Sequence, residues 1–421
     1  MLSGTPGSCL SAAEGRGDSG PELSYSLGTK AWPFGRAAYR QVAWVTAGLI
    51  IAAVSWSAID QEIAAARHPG AILAGQDFWN NTWWAVRSLV SGANIYGPTH
   101  AVIPGIEPAW PAGPHVPASL VWEAPFAALP IPFALFAFTF VSILAIWAAT
   151  FIFIRPVEPW EVLGWSACGA FAILIGGGPE TLLLGQPTGF ILLGLAIVVR
   201  ARRPWLAGVG FLFAATTLQT GLPLALALLV LGARPVLWRG MTLVLACSAL
   251  PVGLGIASSG LGFITSFLSG AAVHLGKQSN RIDLGALLHT LGVTSVGLRV
   301  AAGLAVAALC LVYVATLPRY ARRLDDPAVL CIVVCLVLLC TYHQYYDVLL
   351  VGAGVVPVIV MVDRSWPMLP SFIFAATAAA ASIYSLRDVV VPVCLAGAAL
   401  GSAIALHRTT RVRATGPGDA G

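Results

Sequence analysis

From about residue 39 onward, long apolar stretches alternate with short polar breaks. The apolar runs are Val42–Ile59, Phe133–Ile154, Trp160–Ile175, Leu182–Val199, Trp205–Leu218, Leu222–Leu231, Met241–Ala257, Leu298–Leu317, Ala328–Cys340, Val348–Val362, Met368–Ile383 and Val389–Leu406. A helix crossing a bilayer needs about 20 residues, and several runs approach or reach that length. The pattern predicts an all-α bundle of about 12 transmembrane spans. Residues 1–38 read as a disordered cytoplasmic tail rich in Gly, Ser and Pro, 39–407 as the membrane domain, and 408–421 as a second disordered cytoplasmic tail. Trp205–Leu231 reads either as one long helix or as a pair broken around Gln219, Gly221 and Pro223.

Composition narrows the class. Apolar residues make up 58% of the 421 and charged residues 10%, against about 25% charged in a soluble domain. Disorder, collagen and a disulfide-stapled secreted fold are excluded. The 8 cysteines form no CxxC pair, so neither a zinc site nor a disulfide framework is indicated.

Charge orients the chain. With the N-terminus inside and twelve crossings, the outer side receives Arg67, Arg87, Lys277, Arg281, Arg299 and Arg387, leaving 17 of the 23 basic residues for the cytoplasm. This is the asymmetry of the positive-inside rule. Fusing Trp205–Leu231 into one span would move the Arg319–Arg323 cluster outside, so the charge favours the broken pair. The basic residues form no single patch, and nucleic-acid binding is not indicated.

Two outer loops are long, Asp60 to Ala118 and Ser258 to Gly297, and long loops are where function concentrates. In the first, Phe78, Trp79, Trp83, Val86, Leu89 and Val90 recur at helical spacing behind Asp77, the pattern of an interfacial helix. Asp77 has two readings there, a helix N-cap or a functional carboxylate. The other outer acids are Asp60, Glu62, Glu107, Glu123, Glu180, Asp283, Asp347 and Asp388. The polar run Thr341–Asp347 places His343, Tyr346 and Asp347 between two apolar runs, where ionisable groups are costly and mark sites by default. Gly185-Gln186-Pro187 opens the fourth run, where Gln186 reads as interhelical glue or as a ligand contact. Gly276–Arg281 gathers Lys277, Gln278 and Arg281, donors suited to a phosphate.

Several segments fall in a familiar order: Asp77 and the helix running into Leu89–Tyr96, then Ala124–Pro130, then Leu184-Gly185-Gln186. After these come Trp205–Gly208 behind an Arg-rich turn, Gln278–Asn280 leading into Leu284–Leu287, and Tyr345–Leu350. Over roughly Asp77 to Pro357 the chain resembles the family 87 glycosyltransferases of the GT-C superfamily, which include polyprenyl-phosphate-mannose-dependent α-mannosyltransferases of actinobacteria. The resemblance implies a catalytic base at Asp77. It implies donor and substrate contacts at Gln186, Lys277, Gln278, Arg281, His343, Tyr346 and Asp347, and no metal or cofactor. Two departures stand out. Where many members have Tyr-Pro-Pro, this chain has His115-Val116-Pro117-Ala118, and where many have Lys-Pro it has Gln219-Thr220-Gly221.

The expected function is transfer of a sugar, mannose by the resemblance, from a polyprenyl-phosphate donor to a lipid or glycan acceptor. It would take place on the outer face of a bacterial plasma membrane, by single inverting displacement. The rival readings are a non-enzymatic flippase for a lipid-linked sugar and an inactive family relative.

Overall fold

The computed structural model describes residues 36–66, 75–98, 111–113, 115–175, 177–276, 281–341, 343–350 and 387–415. Among them every regular element is a helix; the only strand-like features are two isolated bridges, His115 with Thr217 and Arg281 with Gln344. The runs Val348–Val362 and Met368–Ile383, apart from residues 348–350, lie outside the described residues, as do Lys277 and Gln278.

Five described helices are long and apolar enough to cross a membrane, or six if one bent pair counts as a span. They are α1 (Arg36–Ala66), α5 (Ile131–Ile154), α11 (Arg234–Ser259), α14 (Val296–Thr316) and α16 (Arg387–Thr415). The protein is thus a multi-pass helical membrane protein. Buried residues make up 61% of the apolar window of α5, against 17% in each of α1, α11 and α14. α5 is therefore the most enclosed of these four, and the other three turn apolar faces outward. Leu49, Trp56, Leu245, Leu250, Leu304 and Leu309 are all exposed, as expected where lipid, not protein, completes the solvation of a helix.

The bent pair is α6 (Pro159–Leu174) and α7 (Gly178–Leu184), which meet at 57°. Short apolar helices follow: α8 (Thr188–Arg200), α9 (Pro204–Ala214) and α10 (Leu218–Val230), with α15 (Pro327–Cys340) later in the chain. α8 packs on α5 and α9, α1 on α6, α9 on α11, and α15 on α16. Local signals set the helix starts. Pro159 opens α6 behind a capping box of Glu158 and Glu161, and Pro327 opens α15 behind Asp326, which accepts from the amides of Ala328 and Val329.

The expected single run Leu182–Val199 is broken. Gly185 sits at φ 67°, its amide donates to Leu182 O and the Gln186 amide donates to Thr181 O. This is a Schellman stop, and Pro187 prevents continuation. The Trp205–Leu231 region is also broken, as the charge argument required, but at Ala215–Thr217, not at Gln219–Pro223. Pro223 lies inside α10. Having no N–H, it leaves the Gln219 carbonyl without its helical donor, and the Thr341 hydroxyl lies between that carbonyl, at 2.9 Å, and the Val337 carbonyl, at 2.6 Å.

The first long loop folds into α2 (Gln76–Phe78), a π turn (Trp79–Trp83) and α3 (Trp84–Val90). Asp77 is not the cap: Gly75 holds that position and Asp77 is the second helical residue. The aromatic face meets protein. Phe78, Trp83, Trp84 and Leu89 are buried in a core shared with Leu120 of α4 (Ser119–Ala127), Phe138 and Phe190, while Val90 is exposed. Asn81 joins this layer to the loop beyond by accepting from the Gly113 amide at 2.6 Å.

Candidate functional site

The four residues Gly185–Thr188, between α7 and α8, organise the site. On one side the Gln186 amide donates to Oδ2 of Asp77. On the other, Thr188 Oγ1 donates to Oδ1 of Asp347 at 3.1 Å. Gln186 and Thr188 are two residues apart, so their Cα atoms are at most about 7 Å apart. The break therefore gathers two carboxylates from opposite ends of the chain. Asp77 is held close by its neighbours: the Gly75 amide donates to Leu183 O at 2.7 Å, and Gly185 lies directly against Phe78.

His343 and Asp347 form a buried pair, Nδ1 to Oδ2 at 2.9 Å, and the Gln344 amide donates to the same Oδ2 at 3.1 Å. Asp347 thus serves several donors at once. It orients the imidazole of His343, which is fully buried, and its Nε2 has no hydrogen-bond partner among the described residues. Orientation of an imidazole through one nitrogen leaves the other for a ligand or a proton.

Arg281 forms a bidentate pair with Asp283, Nε to Oδ2 and Nη2 to Oδ1, both at 2.7 Å. The pair is buried. Asp283 also caps α13 (Leu284–Thr290) by accepting from Ala286 N, and accepts from the His343 amide at 3.3 Å. The Ile282 amide donates to the His343 carbonyl at 3.1 Å. The 281–283 and 343–344 segments are therefore stitched side by side.

Of the residues expected to act, Asp77, Gln186, Arg281, His343 and Asp347 form two neighbouring groups, Asp77 with Gln186 and Arg281 with His343 and Asp347. The backbone of Tyr346 lies in a short 3-10 turn, Tyr345–Val348, but its side chain lies outside the description. Two participants were not singled out by sequence reasoning. Thr188 carried no signal beyond its nearness to Gln186. Asp283 appeared only as one outer acid among nine, although its position just before an apolar helical segment is a cap signature.

A multi-pass helical membrane protein with an ionisable cluster built from its long loops and helix breaks has the makings of a membrane-embedded enzyme. The chain matches the model of glycosyltransferase family 87 over residues 115–341, more than half its length, and belongs to that family. It is a membrane glycosyltransferase. The matched range includes Gln186, Lys277, Gln278 and Arg281, and excludes Asp77, His343, Tyr346 and Asp347. No curated protein and no solved structure matches the chain.

Proposed function

We propose that the chain is a GT-C-type enzyme of about twelve crossings, with both termini cytoplasmic, working on the outer face of a bacterial plasma membrane. It moves mannose from a polyprenyl-phosphate carrier to a lipid or glycan acceptor. Asp77 is the general base. The observation that carries this reading is the Asp77–Gln186 hydrogen bond, which holds a half-buried carboxylate at the helix break.

The chemistry asks little else of the protein. A polyprenyl phosphate leaves readily once its charge is balanced. Asp77 takes the proton of the acceptor hydroxyl as the hydroxyl attacks the anomeric carbon, and the phosphate departs from the opposite face. One displacement inverts the configuration. Gln186 keeps one carboxylate oxygen fixed, so the base stays oriented through the step. Lys277, Gln278, Arg281, His343, Tyr346 and Asp347 form the donor side, with His343 Nε2 directed at the phosphate and Asp347 holding the ring.

The test is transfer from radiolabelled polyprenyl-phosphate-mannose by the purified chain, with the product lipid and its anomeric configuration identified. Transfer of label with inversion supports the reading. Movement of the intact donor across a bilayer without cleavage would make the protein a flippase, and neither activity would leave an inactive relative.

A further inference from the structure

A pocket of about 250 Å³ opens beside the catalytic break, between the end of α1 and the α6–α7 bend. Its polar lining is Gln61, Glu62 and Glu180, and its apolar wall includes Ile173 and Leu182. Glu62 is only 9% exposed, and its Oε2 has no hydrogen-bond partner among the described residues. A buried carboxyl oxygen left without a hydrogen-bond partner is costly, so the pocket favours an occupant that supplies one. The pocket does not serve Asp77 directly, but it shares a wall with it. Leu183 lines the pocket, and its carbonyl receives the Gly75 amide two residues before Asp77.

We propose that this pocket binds a neutral, hydroxyl-rich ring, the acceptor sugar next to the one whose hydroxyl reaches Asp77; this rests on the transferase reading above. Carboxyl groups accept hydrogen bonds and, when protonated, also donate one, and sugar hydroxyls do both in adjacent pairs. Ile173 and Leu182 offer a surface for the C–H face of a ring. The volume lies just under the ~300–1,000 Å³ of drug-sized ligand pockets, which suits one ring and not a lipid chain. The described lining contains no cation, so the donor's phosphate is disfavoured here. A divalent cation is disfavoured as well. Calcium takes 6–8 oxygen ligands and magnesium keeps an octahedron, whereas no group of three or more acidic, His or Cys side chains stands together among the described residues.

The test titrates octyl α-mannoside onto the full chain in nanodiscs, with polyprenyl phosphate as a second probe. For Glu62→Gln and Glu180→Gln, octyl mannoside binding should weaken about tenfold or more, the worth of a charge-assisted hydrogen bond, while polyprenyl phosphate binding stays unchanged. Glu62→Gln should melt at about the wild-type temperature, because the Oε2 it replaces makes no hydrogen bond among the described residues; a purely structural role predicts a lower one. The inference falls if octyl mannoside does not bind the wild type, or if both variants bind it normally. It also falls if magnesium or calcium stabilises the protein in a way that Glu62→Gln abolishes. If octyl mannoside binding depends on Glu62 but the wild type transfers no sugar, the sugar pocket stands and the transferase reading fails.

Discussion

Asp77 and Gln186 lie 109 residues apart and share a hydrogen bond in which the Gln186 side-chain amide donates to the Asp77 carboxylate. One partner follows the first span, and the other is the first residue beyond a helix stop. Gln186 is buried and Asp77 half-buried. A positioned carboxylate with one oxygen fixed by a neutral donor is what a general base requires.

Replacing Asp77 by Asn nearly preserves shape and removes the charge. Turnover should fall by about 10²–10⁴-fold, the usual worth of a positioned base, with little change in donor affinity or melting temperature. Gln186→Ala should lower turnover less, because the base remains and only its orientation is lost. Kinetics and donor titration on the same purified variants decide both. Near-normal turnover in Asp77→Asn would move the search to Asp347.

Gly185 cannot accept a side chain without consequence. Its φ of 67° is left-handed, and an added Cβ would come 2.5 Å from the Cβ of Phe78. Gly185→Ala should cost about 1–3 kcal/mol from the backbone alone. It should also displace Gln186 from Asp77. The expected result is a lower melting temperature together with lower turnover, read by thermal unfolding and by transfer rate.

The buried Arg281–Asp283 pair should behave as a unit. Losing either partner leaves an uncompensated buried charge, and Arg281→Ala or Asp283→Ala should each destabilise by about 3–5 kcal/mol. The double variant should cost clearly less than the two singles added. A double-mutant cycle on melting stability measures this. Full additivity would mean that the pair does not act as one.

Tyr96 tests the second core. Its hydroxyl donates to the His115 carbonyl at 2.9 Å, and burial, with the nearby Glu123 carboxylate, pushes the phenol well above its ordinary value of 10.0. A raised phenol pKa means stability that is complete below about pH 10 and lost as pH rises further. Tyr96→Phe should therefore destabilise by about 1–3 kcal/mol, the cost of an unsatisfied buried acceptor. The difference from wild type should be flat from pH 6 to 9 and shrink above pH 10, as unfolding across a pH series would show.

The ends of α5 and α8 report on orientation. Arg155 donates to the Arg200 carbonyl at 2.8 Å, and Arg200 donates to the Phe153 carbonyl at 2.9 Å. These two basic ends share one side of the molecule, as the positive-inside map requires. A cysteine placed at Arg202 should be labelled by a membrane-impermeant maleimide only after the inner face is opened. Labelling from outside in intact cells would invert the topology.

The class of protein and most helix positions were legible in the pattern of residues, because helix formation and membrane insertion respond to local composition. The run Phe133–Ile154 became a helix from Ile131 to Ile154, and the break that the charge asymmetry favoured in Trp205–Leu231 is present between α9 and α10. The order of short motifs carried the family. The break at Gly185 was present as a Gly-Gln-Pro stop signal, but the surrounding apolar residues outweighed it when hydropathy alone was read. The position of the 215–217 break was not legible, because Pro223 reads as a helix breaker in sequence yet lies inside α10. Whether Asp77 caps the helix was not legible in the loop alone; the fold puts Gly75 in the cap position and Gln186 on the Asp77 carboxylate. Likewise only the fold joined Thr188 to Asp347 and Asp283 to Arg281. Hydropathy and helix signals are properties of neighbours in sequence, whereas hydrogen bonds between Asp77 and Gln186, or Thr188 and Asp347, depend on which helix ends meet after packing.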